Sequence, residues 1–218
     1  MREFFSIDGK FFKFGMMLWD VMVITFLWTI TSLPIITIGA STTALYYVTT
    51  RMLSNREGYV ARDFFRSFKE NFFQATGVTI LFGGAIFLVY FNLTVLSGKS
   101  VLFPIQFVIM AVLCATLAFI FPVLSRFKMK FFELIIQSFF LAAGHFVTAI
   151  TCLCLLAAIA LIIMRWPILF IICAGVYGLL TSLMFMHIFK KYLPEMDTDE
   201  YDEKKHQEIL ENEAKVED

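Results

Sequence analysis

The stretch FGMMLWDVMVITFLWTITSLPIITIGASTTALYYVTT, residues 14–50, carries a single charged side chain, Asp20. The hydrocarbon core of a membrane is about 30 Å thick, and roughly 20 residues of apolar helix cross it. The stretch is therefore long enough for two crossings. A helix ends before a proline, so we expect the turn between the crossings near Ser32-Leu33-Pro34. This sequence predicts two helices that cross a membrane in opposite directions.

Four more runs beyond this stretch contain no Asp, Glu, Lys or Arg, and each is long enough to cross a membrane. Hydrophobic residues make up 59% of the chain, which is more than a soluble domain of 218 residues places in its core. We predict an all-α fold, a polytopic membrane helical bundle of about six transmembrane helices in one domain, residues 1–194. The predicted spans are 14–33, 36–53, 75–96, 101–124, 136–163 and 167–189.

The basic residues lie on one side of these spans. Sixteen of the 18 Lys and Arg residues fall before the first span, between the second and third, between the fourth and fifth, or after the last. Only Lys99 and Arg165 fall in the other connections. Cytoplasmic loops retain positive charge during insertion, so both termini are predicted to be cytoplasmic. The basic segments suit the anionic lipids of the inner leaflet, and residues 195–218 form an acidic cytoplasmic tail.

The second span is short and polar for a membrane helix. Small and hydroxyl-bearing residues let helices approach closely and hydrogen-bond to one another, so we favour tight packing of this span against its neighbours. The alternative is a substrate site, in which a segment that begins at Pro34 is re-entrant or unwound and presents backbone groups to a ligand. Whether residues 34–50 cross fully or re-enter stays open. The residues on which both interpretations depend are Thr37, Gly39, Ser41, Thr42 and Thr43.

A segment before the third span is amphipathic. In Ala61–Phe73, four Phe side chains fall on one helical face and charged side chains on the other, which is typical of a helix in the membrane interface. The spacing F-K-x-x-F-F occurs in Phe68–Phe73 and again in Phe127–Phe132, 59 residues later. We predict interfacial amphipathic elbow helices at both places. The repeat is either an internal duplication or a coincidence in a chain with 27 Phe residues.

Few ionisable side chains lie within the predicted spans. An acid at the depth of Asp20 is costly unless it is paired or neutral. Arg51, near the cytoplasmic end of the second span, has a matching depth, so we favour a structural Asp20–Arg51 pair over a role for Asp20 in carrying ions or protons. His145, near the middle of the predicted fifth span, is expected to form an interhelical hydrogen bond and to have no catalytic role.

Signatures of catalysis and of cofactor binding are absent from the sequence. It has no P-loop, no H-E-x-x-H, no G-x-S-x-G and no dinucleotide fingerprint. The four Cys residues lie in predicted spans and lack the spacing of a metal site. We expect a non-enzymatic protein with no cofactor, no metal and no nucleic-acid partner.

Two motifs in the first half of the chain resemble those of a known family. The run LPIITIGA, residues 33–40, is followed by TALYYV, residues 43–48, and later by RDFF, residues 62–65, and FKENFFQA, residues 68–75. Together they resemble the YesL-like family of small bacterial membrane proteins, which are grouped under a domain of unknown function. The resemblance covers about residues 1–190 and implies a location in the bacterial cell membrane. YesL-like proteins occur mainly in Gram-positive bacteria, often encoded beside ABC-type carbohydrate importers, so the resemblance also implies a role in carbohydrate transport.

Our leading hypothesis is an accessory or stabilising subunit of an ABC-type carbohydrate (oligosaccharide) importer. It would contact a membrane partner, such as a permease subunit, through the small-residue surfaces Gly39–Ala44 and Gly83-Gly84. One alternative is a stand-alone transporter or channel that uses the polar second span and Asp20. Another is an envelope-glycan assembly protein, or a sensor that signals through the acidic tail.

Overall fold

The described part of the chain folds into helices joined by short connections. The computed structural model describes residues 10–54, 59–95, 103–166 and 169–192. Lys99 and the predicted acidic tail, residues 195–218, lie outside this range. Within it the fold is an all-α membrane bundle of seven α-helices, with a short 3₁₀ turn, Ile35–Thr37, between the first two. The helices are α1 Lys10–Thr31, α2 Ile38–Leu53, α3 Val60–Val95, α4 Phe103–Arg126, α5 Phe131–Gly144, α6 Phe146–Arg165 and α7 Phe170–Tyr192.

Four helices of the described residues are long and apolar enough to cross a membrane. They are α3, α4, α6 and the segment Ile172–Phe189 of α7. Two apolar stretches are shorter, namely Gly15–Thr31 of α1 and the whole of α5. The 16 residues of α2 measure about 24 Å at 1.5 Å per residue, less than a hydrocarbon core of about 30 Å. The chain is a multi-pass membrane protein whose second helix is both short and polar.

The α2 helix lies at the centre of the bundle. It packs against α1, α3, α4 and α7, and ten of its residues are buried. A side-chain hydrogen bond joins it to α7, because Thr49 Oγ1 and Ser182 Oγ are 2.8 Å apart. Ten of its 16 residues are small or hydroxyl-bearing, so neighbouring helices come close and the polar groups are removed from lipid. The least hydrophobic helix of the seven is thereby enclosed in protein.

Two apolar clusters hold the other helices around α2. In the larger cluster, Phe185 of α7 packs edge-to-face on Phe119 of α4, with ring centroids 4.9 Å apart. Phe189 packs in the same way on Phe127 at 5.3 Å, and Tyr46 of α2 meets the Phe185 ring at 6.1 Å. Edge-to-face pairs of this kind stabilise a protein beyond the area they bury. The smaller cluster consists of Ile24, Ala44, Leu45, Val48 and Phe64.

The predicted elbow before the third span is not a separate helix. Ala61–Phe73 is the first part of α3, which continues without a break to Val95. No Gly or Pro occurs between Ala61 and Thr76, so nothing in the sequence interrupts the helix. The 36 residues of α3 measure about 54 Å, which exceeds the thickness of a hydrocarbon core. The charged first part of α3 is therefore a continuous helical extension of a membrane helix.

The predicted fifth span is divided into two helices. The α5 helix ends at Gly144 and α6 begins at Phe146, because His145 between them has the non-helical backbone angles φ −121° and ψ 50°. His145 nevertheless donates its backbone N–H to Leu141 O at 2.9 Å, and its carbonyl accepts from Ala149 N at 3.1 Å. Gly144 weakens the helix at this point, which favours a break. His145 thus lies at a junction and not in the middle of a span.

The two F-K-x-x-F-F copies have different conformations. Phe68–Phe73 lies inside α3, whereas Phe127–Lys130 is a non-helical link between α4 and α5. The second copy therefore forms no elbow helix before Phe131. The copies lie near one another, since Gln74 Nε2 donates to Met129 O at 2.9 Å. Their similarity is one of spacing and not of structure.

Candidate functional site

The small-residue surface of α2 is closed by neighbouring helices. A Cβ atom on Gly39 would collide with Thr79 Oγ1 and would lie 2.8 Å from Ala75 O and 2.9 Å from Phe121 Cε1. At this position α3 and α4 approach the α2 backbone so closely that only glycine fits. Five of the six residues in Gly39–Ala44 are buried, which is the packing that the sequence favoured. The prediction of Gly39–Ala44 as a contact surface for a partner is wrong, because the chain's own helices occupy it.

The hydroxyl groups of α2 are engaged within their own helix. Ser41, Thr42 and Thr43 each donate to the carbonyl oxygen four residues earlier, at 3.0, 2.7 and 2.9 Å. In the turn before α2, Thr37 Oγ1 lies 2.7 Å from Pro34 O and 2.6 Å from the carbonyl oxygen of the last residue of α1. Threonine and serine in membrane helices commonly satisfy themselves in this way. Among these hydroxyls, only that of Thr37 joins the turn before α2 to the end of α1.

Two glycines of α7, which were not among the predicted site residues, also pack closely against other helices. A Cβ atom on Gly178 would collide with Leu45 of α2, and one on Gly175 would lie 2.8 Å from Thr25 Oγ1 of α1. The backbone N–H of Gly175 also donates to Thr25 Oγ1 at 2.9 Å. The spacing of Ala174 and Gly178, small residues four apart, is a recognised signal for close helix packing and was available in the sequence.

Arg51 pairs with Asp63 and not with Asp20. Arg51 Nη1 lies 3.6 Å from Asp63 Oδ1 and donates to Tyr47 Oη at 3.1 Å, and the guanidinium carbon is 5.7 Å from the centre of the Tyr47 ring. The predicted Asp20–Arg51 pair does not form in the described structure, where Asp20 is half-buried on α1. The reason is connectivity, because a short link joins α2 to α3 and places the end of one beside the start of the other.

Gly83 and Gly84 lie on an open face of α3. A Cβ atom at either position would meet no atom within 4 Å, and both residues are exposed at the bundle surface. Phe87 and Phe91 follow Gly84 by one and two helical turns, so the three fall on one side of the helix. The two Phe rings stack with centroids 6.4 Å apart and are 64% and 58% exposed. We call the surface of Gly83, Gly84, Phe87 and Phe91 the α3 face.

A cavity of about 420 Å³ lies between α1, α2, α4, α6 and α7. The α6 helix contributes Leu153, Leu156, Ile159 and Ile163, which recur every three or four residues and so form one face of the helix. Leu156 lines the cavity and is still 54% exposed, which shows that the cavity opens to the outside of the bundle beside α6. We call it the α6 cavity. Its volume lies within the range of small-molecule sites, about 300–1,000 Å³.

The fold defines a class, a multi-pass membrane bundle with a close-packed polar helix at its centre. A family model described as "Protein of unknown function, DUF624" matches residues 21–93 of the chain. The matched range includes the whole of α2, the Arg51–Asp63 pair and the α3 face. No curated protein and no solved structure matches the chain.

Proposed function

We propose that the protein is a non-enzymatic accessory or stabilising subunit of an ABC-type carbohydrate importer in the bacterial cell membrane, and that it contacts this partner through the α3 face. The observation that carries the proposal is the adjacent pair Gly83 and Gly84, which no described residue covers. Glycine lowers helix propensity by about 1 kcal/mol relative to alanine, so a helix that faces only lipid gains nothing from it. Small residues instead let a second membrane helix approach closely.

The bulky residues beside the glycines support the same proposal. Phe87 and Phe91 project from the same face one and two turns beyond Gly84, so both would lie on one side of a helix that crosses at the glycines. Lipid tails are as apolar as a partner helix, and association in the membrane depends on close packing more than on the hydrophobic effect. An open glycine pair with large rings along one edge offers a surface for such close approach.

The identity of the partner rests on the resemblance to YesL-like proteins. The matching family model, over residues 21–93, includes the α3 face and carries no function of its own. A carbohydrate permease subunit is therefore proposed from the resemblance, and the contact surface is proposed from the geometry.

A stand-alone carbohydrate transporter has less support in the geometry. Sugars bind through hydrogen bonds. The hydroxyl groups of Ser41, Thr42 and Thr43 already donate hydrogen bonds to backbone carbonyl oxygens four residues earlier. The α6 cavity is lined mainly by aliphatic and aromatic side chains, which offer a sugar few partners. Both observations favour an accessory role over substrate passage through the described bundle.

Co-purification tests the proposal. The protein is recovered from native membranes in a mild detergent, and the proteins recovered with it are identified by mass spectrometry. We expect a permease component with the unaltered chain and its loss with Gly83→Leu and Gly84→Leu. Neither variant should lose thermal stability, because a Cβ meets nothing at these positions.

The matched control is Gly15→Leu, which adds the same side chain to an equally open glycine on α1. It should retain the permease component. Recovery of the unaltered chain without any permease component, or retention of the component by both α3 variants, would overturn the proposal. Sugar flux into vesicles that contain only this protein would instead favour a stand-alone transporter.

A further inference from the structure

The α6 cavity has no role in the proposed contact with a permease. We propose that it is a binding site for one acyl chain of a membrane phospholipid, and that the chain lies between α6 and the other helices that line the cavity. The site is independent of the α3 face, so either proposal can fail without the other.

The packing of α6 indicates that something other than protein fills this space. Only Ala149 and Cys152, near its start, are buried, whereas the later residues are half-buried or exposed. The face formed by Leu153, Leu156, Ile159 and Ile163 is directed toward the bundle and lines a cavity where a neighbouring helix would normally lie. Protein interiors are close-packed, and an apolar space of this size is costly if empty.

The lining of the α6 cavity is mainly apolar, which makes the cavity unfavourable for water. Most lining side chains are aliphatic or aromatic. Three of the polar lining side chains, those of Trp28, Thr42 and Tyr46, already form hydrogen bonds. Trp28 Nε1 donates to Thr42 Oγ1 at 3.3 Å, and Tyr46 Oη lies at hydrogen-bonding distance, 3.2 Å, from Thr181 Oγ1. A buried water needs two to four polar partners, and apolar cavities stay dry or take apolar ligands.

The membrane around the protein contains an abundant apolar ligand, the acyl chains of its phospholipids. The cavity opens beside Leu156 of α6, a helix long and apolar enough to cross a membrane. Phospholipid acyl chains surround such a helix in the membrane. Leu153 and Ile163, both in the lining, are ten residues apart, so the lining follows α6 for about 15 Å, a length along which an unbranched chain can lie. A single chain that enters here would replace the missing helix–helix contacts with dispersion contacts to α4, α6 and α7.

Trp28 provides an intrinsic probe, because it lines the cavity whereas Trp19 and Trp166 are 68% and 56% exposed. In a chain that carries Trp19→Phe and Trp166→Phe, only Trp28 fluoresces. The protein is reconstituted into phosphatidylcholine vesicles whose acyl chains are brominated, since bromine quenches tryptophan on contact. We expect quenching of Trp28 by the brominated chains and none by acrylamide, which is water-soluble.

Filling the cavity should remove that quenching. Ala118 of α4 lines the cavity, and Ala111 of the same helix is exposed and does not. We expect Ala118→Phe to lose the quenching of Trp28 and Ala111→Phe to retain it. Native mass spectrometry should show one retained phospholipid in the unaltered chain and in Ala111→Phe, and none in Ala118→Phe.

A second pair of variants keeps the test decisive if Ala118→Phe does not fold. Cys173→Phe fills the cavity from α7, and Cys154→Phe adds the same ring to an exposed position of α6. Trp28 that is quenched by acrylamide, or quenching by brominated chains that survives in a folded filling variant, would overturn the proposal.

Discussion

Glycine has opposite surroundings at two positions of this membrane bundle. At Gly39 a methyl group would meet the carbonyl oxygen of Ala75 and the ring of Phe121, and a backbone atom cannot move aside cheaply. At Gly84 a methyl group would meet nothing within 4 Å. Packing within the chain therefore requires glycine at the first position and does not account for it at the second.

Alanine substitutions should separate these two cases. We expect Gly39→Ala to destabilise the protein by about 1–3 kcal/mol, the usual cost of overpacking. Gly84→Ala should stabilise it by roughly 0.5–1 kcal/mol, because alanine is the better helix former and has room. Thermal unfolding of both variants in one detergent, followed by circular dichroism, measures the difference. Equal stability of the two would contradict the close approach described around α2.

Arg51 allows a second test with single residues. Arg51 and Asp63 are partly exposed, at 23% and 15%, so we expect their coupling to be modest, about 1 kcal/mol. A double-mutant cycle with Arg51→Met and Asp63→Asn measures that coupling as a change in unfolding free energy. The same cycle with Asp20→Asn in place of Asp63→Asn should give a value near zero. A larger coupling with Asp20 would restore the pair predicted from the sequence.

The continuity of α3 from Val60 to Val95 is a property of the whole element. Spin labels at Arg62 and Asn92, both exposed, are 30 residues apart and should give a distance of about 45 Å if the helix is continuous. An elbow that bends near Phe73 would shorten this distance to roughly 33 Å, from two perpendicular segments at 1.5 Å per residue. Pulsed electron paramagnetic resonance on the reconstituted protein distinguishes the two. Labels at Phe73 and Asn92 serve as the control, because both geometries predict the same distance for them.

Helix boundaries could be predicted where particular residues mark them. A turn was expected near Ser32-Leu33-Pro34, and α1 ends at Thr31, followed by the 3₁₀ turn that begins at Ile35. The break at His145 was missed because the apolar run around it is continuous and hydropathy does not respond to one pair of backbone angles. The separate elbow helix expected at Ala61–Phe73 was wrong for another reason, since an amphipathic segment can continue into a membrane helix without a break.

At the scale of the molecule, the all-α membrane bundle and the need of the second helix for surrounding protein could be inferred, because both follow from composition. Which helices pack against α2 could not be inferred from the sequence. Thr49 and Ser182, which bond to each other, are 133 residues apart, and no local pattern relates them. Arg51 was assigned the wrong partner because depth in the membrane was considered and the short link between α2 and α3 was not.

The orientation of the whole molecule remains a prediction from its charges. We expect a green fluorescent protein fused after residue 192 to fluoresce and alkaline phosphatase fused there to be inactive, since sixteen of the 18 basic residues are assigned to the cytoplasmic side. Alkaline phosphatase inserted between residues 96 and 102 should be active. Phosphatase activity at residue 192 would invert the predicted topology.

The central position of α2 has a consequence for the synthesis of the protein. The ribosome delivers α1 and α2 early, whereas α7, which supplies Gly175, Gly178 and Ser182 to the helices around it, is the last described helix to emerge. Until α7 enters the membrane, one polar side of α2 faces lipid or the insertion machinery. A chain that stops before residue 169 should therefore be degraded by membrane proteases more rapidly than the full chain in a pulse-chase experiment. Each newly made molecule therefore holds its least hydrophobic helix incompletely shielded until α7, the last described helix, has entered the membrane.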